Sequence, residues 1–223
     1  MRYGTRSDWA YGPHSQATRL VGKGKRILDV GCSSGELASM LKANGCAVIG
    51  IEYDQEAAQK AREHCEQVIV VDLDRIEEFP FKKNEFDHIL FMDVLEHLRD
   101  PLTLLKKLKP FLKTNGTIIV SVPNVANISI RSSLLFGGWN YTEYGIMDRT
   151  HLRFFTRKTA KALVTDAGYL IKTFDVTPGI PLLSRVYRQP FLTINYALSK
   201  TFQTLFATQF IISANPDSNG TEG

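Results

Sequence analysis

The 223-residue chain is 43% hydrophobic and 22% charged, which excludes disorder, a collagen-like repeat and a disulfide scaffold and leaves one large domain or two small ones. Cys32, Cys46 and Cys65 form no C-x-x-C pair, which fits a reducing compartment and argues against a zinc ribbon. Net charge is +4: residues 1–123 balance at 17 basic and 17 acidic, whereas residues 124–214 hold ten basic against four acidic, so the excess is a solvated surface or a binding face for an anionic partner.

The opening MRYGTRSDWAYG has no signal-peptide apolar run, and no stretch is long and apolar enough to span a membrane, so a cytoplasmic location is expected. Arg26–Val30 reads as a buried strand entering a glycine loop, and Glu36–Ala43 as a helix stopped by Asn44-Gly45. Ala47–Ile51 is a second strand. Asp54 then caps a helix running to about His64. Gln67–Val71 and Phe86–Phe91 are the third and fourth strands. Asp100-Pro101 starts a helix carrying Leu105, Leu108 and Leu112, closed by Asn115-Gly116. Thr117–Val122 is a fifth strand ended by Pro123.

Residues 124–155 show no period, yet Phe136, Trp139, Tyr141, Tyr144, Phe154 and Phe155 argue for an ordered functional loop. Thr156–Ala167 is a helix, Tyr169–Val176 a sixth strand, about Leu182–Phe202 an apolar helix, and Phe206–Ala214 a last strand. The whole reads as one α/β domain over 1–214. Residues 1–123 form its cofactor-binding half, 124–155 and 178–204 are substrate lid or insertions, and 215–223 are a frayed tail.

The chemistry begins at Asp29-Val30-Gly31-Cys32-Ser33-Ser34-Gly35. Small residues between a strand and a helix let the backbone approach a ligand, and the helix start offers free N–H donors. A dinucleotide turn has the form G-x-G-x-x-G; here Gly31 and Gly35 stand four apart, and Asp29 would repel a pyrophosphate but pair with a ligand ammonium. The second strand runs into Glu52, placed to accept ribose hydroxyls, with Tyr53 beside it for a base. The third runs into Asp72-Leu73, where a carboxylate can accept from an adenine amino group. Each acid taken singly is also a plausible helix cap; the ordered series of three is what carries weight.

The Asp29–Gly35 loop, Glu52, Asp72 and Phe86–Pro101 resemble the motif series of class I S-adenosylmethionine-dependent methyltransferases over residues 26–123. Met92–Leu98 (MDVLEHL) and Asp148–Thr156 are most similar to the ubiquinone-biosynthesis O-methyltransferase branch and its bacterial relatives; Ser33 departs from the glycine usual there. The resemblance implies a Rossmann-like, mostly parallel seven-stranded sheet with an antiparallel last strand and helices on both faces. It implies S-adenosylmethionine as cofactor, held by Asp29, Gly31, Cys32, Ser33, Gly35, Glu52, Tyr53, Asp72, Leu73, Met92 and Asp93.

Methyl transfer needs alignment, exclusion of water and, for a hydroxyl acceptor, a base. His151, in a polar cluster with Asp148, Arg149 and Arg153, is the first candidate and His97 the second. No metal is assigned; the alternative set is Asp93, Glu96 and His97, whose spacing puts them near one face if helical. Substrate-side candidates are Asn124, Arg131, Trp139, Tyr144, Arg149 and Arg153, with a loop or lid-packing role as the competing reading. The expected activity is methyl transfer to a small, anionic hydroxyl acceptor, in a monomer or homodimer without nucleic acid or membrane span. N-methyl transfer, RNA methylation, a cofactor-binding protein without catalysis and a nicotinamide oxidoreductase are the alternatives.

Overall fold

The computed structural model describes residues 10–181, 183 and 190–217. The first element, unforeseen in the sequence, is helix α1 (Pro13–Val21), with Pro13 in its first turn and Gly22 at its C-terminal cap. Strand β1 (Arg26–Val30), α2 (Glu36–Ala43), β2 (Ala47–Glu52), α3 (Gln55–Ala61, capped by Asp54), β3 (Gln67–Val70) and β4 (Phe86–Met92) follow the expected order.

Helix α4 (Pro101–Leu108) is shorter than its leucine pattern suggests. Pro110 lacks the N–H that the helix would need, so the chain tightens into a 3₁₀ turn, and Leu112 begins strand β5 (Leu112–Pro123) instead of ending the helix. Asn115-Gly116 therefore lies inside β5, where the register against β4 slips between Phe86 and His88.

Within residues 124–155, expected to be irregular, Ile128–Leu135 forms α5. None of its side chains is buried, so there was no apolar stripe to read. Helix α6 (Arg157–Asp166) starts at the Thr156 cap, and β6 (Tyr169–Pro178) follows. The apolar stretch near 182–202 resolves into α7 (Phe191–Thr201), then α8 (Gln203–Phe206). Its first part, with Arg185 and Arg188, falls largely outside the described residues. Strand β7 (Ala207–Pro216) reaches past the expected end at Ala214, so Asn215 and Pro216 are strand and not frayed tail.

The strands form one sheet in the order β3-β2-β1-β4-β5-β7-β6, parallel except that β7 runs antiparallel to both neighbours. Alternation along the strands fills both faces. Ile27, Val48, Leu90 and Ile119 pack with Ala17, Leu37, Leu41 and Ala58 from α1, α2 and α3. Leu28, Ile49, Ile89 and Val120 pack with Leu104, Leu105, Leu108 and Val164 from α4 and α6. Among the described residues, no helix is long and apolar enough to cross a membrane.

Candidate active site

Because β1 to β5 are parallel, every loop that follows one of them opens at the same edge of the sheet. Strand order reverses between β1 and β4, and open α/β sheets bind ligands in the crevice over that switch point. The glycine loop leaves β1 there and Asp93 leaves β4.

The loop is held open by its own backbone. Gly31 (φ +73°), Ser33 (φ +47°) and Gly35 (φ +85°) are left-handed, and the Gly31 and Cys32 N–H groups both donate to the Ile51 carbonyl. A Cβ on Gly31 would lie 2.4 Å from Val94 Cγ2, so glycine is required by space as well as by φ. Ser33 takes the left-handed conformation at some cost and is fixed by an N–H bond of 2.8 Å to Glu52 Oε2.

Asp29 is 2% exposed, and its Oδ2 is buried without a hydrogen-bond partner among the described residues. Burial, then the nearby Glu52 and Glu36 carboxylates, push its carboxyl up to about 7. A buried acid without a cation beside it is costly, and a ligand ammonium would supply the missing charge. Glu52 is already engaged: besides Ser33, it accepts from the Tyr53 and Asp54 N–H groups, so it ties the β2 end to the glycine loop. Tyr53 stands 72% exposed at the edge. Asp72 closes a turn by accepting from the Asp74 N–H and pairs with Arg75 at 3.3 Å, while Leu73 is half-buried against the core.

Beyond β4, Met92 is buried and Asp93 adopts φ +57°. Asp93 Oδ1 accepts from Ser121 Oγ on β5 and from Gln209 Nε2 on β7, each at 2.7 Å. The expectation that Asp93, Glu96 and His97 share a helical face fails: Leu95–His97 is a single 3₁₀ turn, and Asp93 precedes it in a left-handed conformation. The groups that do converge are Glu96, His97 and His151, with one ligand atom from each within 4.8 Å of the others. His97 and His151 meet ring against ring at 4.8 Å.

His151 reaches this place through its backbone neighbours, since the Leu152 and Arg153 N–H groups donate to the Glu96 carbonyl at 2.8 and 2.9 Å. The anticipated polar partners do other work. Asp148 accepts from the Thr150 N–H and hydroxyl, Arg153 donates to the Arg99 carbonyl, and Arg149 is exposed. His151 Nδ1 lies 3.1 Å from the Ile146 carbonyl, which fixes a proton on Nδ1 and leaves Nε2 as acceptor. Burial and then the adjoining His97 lower its pKa, so the ring is neutral at pH 7. Glu96 is fully buried with neither carboxyl oxygen partnered among the described residues, and burial followed by Asp93 raises its pKa. An orphaned carboxyl facing two imidazoles is a donor set that fits a divalent cation.

Asn124, expected on the substrate side, is spent on structure: its amide donates to the Thr204 and Ala207 carbonyls and its Oδ1 accepts from the Ala126 N–H. Asn127 caps α5 and also bonds Ala207. Trp139 does line a cavity of about 270 Å³, together with Ser129, Ser133, Asn140, Thr142 and Met147. Trp139 packs edge-on to Phe154, which packs on His151, so the cavity adjoins the histidine pair. Tyr144 is exposed on the same segment, and Arg131 is exposed with its Nε bonded to the Ala126 carbonyl.

Helix α1 also brings His14 to the site's border. Carried by α1 to the loop edge, its imidazole is half-buried near Asp93 and Glu36, and burial lowers its pKa. Pro13 followed by a Gly-Lys-Gly stop was the signal for that helix.

A profile described as a methyltransferase domain matches residues 6–172. The chain belongs to that family. This methyltransferase-domain protein is 37% identical over 108 residues to a ubiquinone biosynthesis O-methyltransferase of Histophilus somni, covering 45% of each chain. It spans about half the length of several such curated relatives. A relative of the same name from Acinetobacter baylyi is 27% identical over 180 residues, with 78% of this chain and 75% of that one covered. Among solved structures, an S-adenosylmethionine-dependent methyltransferase from Archaeoglobus fulgidus superposes with a TM-score of 0.65 at 19% identity, over 96% of this chain and 99% of that one. The family implies S-adenosylmethionine as cofactor, and the buried Asp29, its Oδ2 without a partner among the described residues, beside a left-handed glycine loop fits it.

Proposed function

We propose that this protein transfers a methyl group from S-adenosylmethionine to a hydroxyl oxygen of a small-molecule acceptor. The observation that carries the reading is the buried Asp29 at the switch point, whose Oδ2 has no partner among the described residues, a carboxyl that an amino-acid ammonium completes and a pyrophosphate would oppose. The names of the curated relatives support oxygen as the acceptor atom.

When bound, the cofactor supplies an electrophilic methyl on a sulfonium. Asp29 would hold its ammonium, the Gly31–Gly35 backbone its methionine portion, Glu52 its ribose, and Tyr53, Asp72 and Leu73 the adenine. Met92 and Asp93 would border the reacting end, with Ser121 and Gln209 keeping Asp93 from turning away. Displacement at the methyl group requires collinear alignment more than charge creation, so a rigid crevice with a closed lid is the main contribution. His151 Nε2, neutral and directed by its Nδ1 bond, would take the hydroxyl proton. The exposed guanidinium groups of Arg131, Arg149 and Arg153 around the lid suit an acceptor bearing a carboxylate or phosphate.

The buried Glu96, without a partner among the described residues, favours a second reading of the same pocket, in which Glu96, His97 and His151 would hold a divalent cation that would supply Lewis-acid activation of the acceptor hydroxyl. A screen of hydroxylated, anionic acceptors, reading S-adenosylhomocysteine release with and without EDTA, tests both. Turnover that survives EDTA and falls at least a hundredfold in His151→Ala supports the base. Loss with EDTA and rescue by Mg²⁺ supports the cation. NAD binding in place of S-adenosylhomocysteine by calorimetry would overturn the cofactor assignment.

A further inference from the structure

Two of the three cysteines meet beneath the glycine loop. Cys32 and Cys65 are 5% and 8% exposed and pack in the same cluster, on the α2–α3 face of the sheet. Gly50 on β2 is what makes room for them: a Cβ there would lie 2.5 Å from Cys32 Sγ and 3.4 Å from Cys65 Sγ, so both sulfurs converge on the space that a side chain would fill. Cys46 lies elsewhere, with its thiol against the Gly22 carbonyl at 3.8 Å.

We propose that Cys32 and Cys65 are an oxidative modification site, a dithiol that a peroxide converts to a disulfide and that thereby releases the cofactor. The proposal rests on the cofactor reading only for its second half. The two thiols interact, which raises the Cys32 pKa and lowers that of Cys65, while the Cys32 S–H itself lies 3.8 Å from the Ser33 carbonyl. In the proposed step Cys65, the thiol of lowered pKa, attacks first as its thiolate. It displaces water from the peroxide to give a sulfenic acid; the Cys32 sulfur then attacks that sulfur, a second water leaves, and two thiols plus one peroxide become one disulfide plus two waters.

The mechanical consequence follows from where each cysteine is tethered. Cys32 sits in the loop, its N–H bonded to the Ile51 carbonyl at 3.0 Å, next to Ser33, whose N–H is bonded to Glu52. Cys65 closes the turn after α3, with its N–H on Ala61 and the following Glu66 N–H on Val48. A disulfide of about 2.0 Å draws the sulfurs closer than a thiol contact allows. The loop, with its left-handed Gly31 and Ser33, must move to follow Cys32. In the proposal this shift disturbs the Gly31–Gly35 geometry that the cofactor reading depends on.

The test treats the full-length reduced protein with hydrogen peroxide, maps disulfides by mass spectrometry without reduction, and measures S-adenosylhomocysteine affinity by calorimetry. A Cys32–Cys65 bond, a Kd raised at least tenfold and recovery with dithiothreitol are expected. Cys65→Ser should form no such bond and keep its Kd within twofold after peroxide; if that variant does not fold, the wild-type map and the dithiothreitol reversal decide. Both cysteines remaining reduced, a sulfinic acid on either without linkage, or a disulfide that leaves the Kd unchanged would overturn the proposal. Reduced protein that binds no S-adenosylhomocysteine sinks the cofactor reading instead, and the disulfide map still decides the dithiol.

Discussion

At the scale of single residues, Asp29 makes opposite demands on stability and binding. Its pKa of about 7 lies above that of an unfolded aspartate, so the native state holds the proton more tightly. The resulting stability is fully present near pH 3 and is lost as pH rises toward 7, a cost on the order of 4 kcal/mol once the group is ionised. Binding runs the other way, because an ammonium needs the carboxylate. Between pH 8 and pH 6, S-adenosylhomocysteine affinity should fall about tenfold, with proton release seen by calorimetry in buffers of different ionisation enthalpy. Asp29→Asn should raise the melting temperature of the free protein at pH 8 while weakening binding at least tenfold; a drop in both would mean that Asp29 is a structural partner. Glu52→Ala should weaken both, since it strands the Ser33, Tyr53 and Asp54 N–H groups. These acids were readable because each stands at or near the end of a strand, in a fixed order. The meeting of His97 with His151 was not, because it depends on a loop returning to pair with the Glu96 carbonyl, which no local pattern encodes.

At the scale of elements, periodicity served where a face was buried and failed where none was. Helix α2 is bounded as its sequence suggests because Leu37, Ala38 and Leu41 bury a stripe and Gly35 and Asn44 bracket it. Helix α5 escaped notice because it buries nothing, and α4 was overextended because Leu112 keeps helical spacing after Pro110 has ended the helix. The glycine loop is the element whose geometry the site can least spare. Gly31→Ala combines a left-handed alanine with a methyl pressed on Val94, and should cost roughly 2–5 kcal/mol by urea unfolding. Adding Val94→Ala removes the collision but not the backbone strain. The cycle should therefore show a favourable coupling of at least about 1 kcal/mol. A coupling near zero would mean that the loop relieves the methyl by moving away from β4.

At the scale of the whole molecule, the alternation of strands and helices foretold a parallel sheet, and the resemblance supplied the antiparallel ending. The pairing of β7 between β5 and β6 depends on contacts distant in sequence, such as Pro123 with Gln209. The crevice lies over the sheet's central strands, and the residues that frame it come from β1, β2, β4, β5 and β7 through Asp29, Glu52, Asp93, Ser121 and Gln209. A ligand seated there is coupled to the cooperative core and not to a peripheral lobe, so it should shift the whole unfolding transition without splitting it. At a hundred times its Kd, S-adenosylhomocysteine stabilises the native state by about 2.7 kcal/mol. A domain of this size gains about 2–4 °C for each kcal/mol, so differential scanning calorimetry should show Tm rising by about 5–10 °C as one sharpened peak. NAD at the same concentration should leave Tm in place. A second peak that stays at the ligand-free Tm would instead mean that the β5-β7-β6 half unfolds independently of the crevice, and that the Asp93–Gln209 contact does not link the two halves of the sheet.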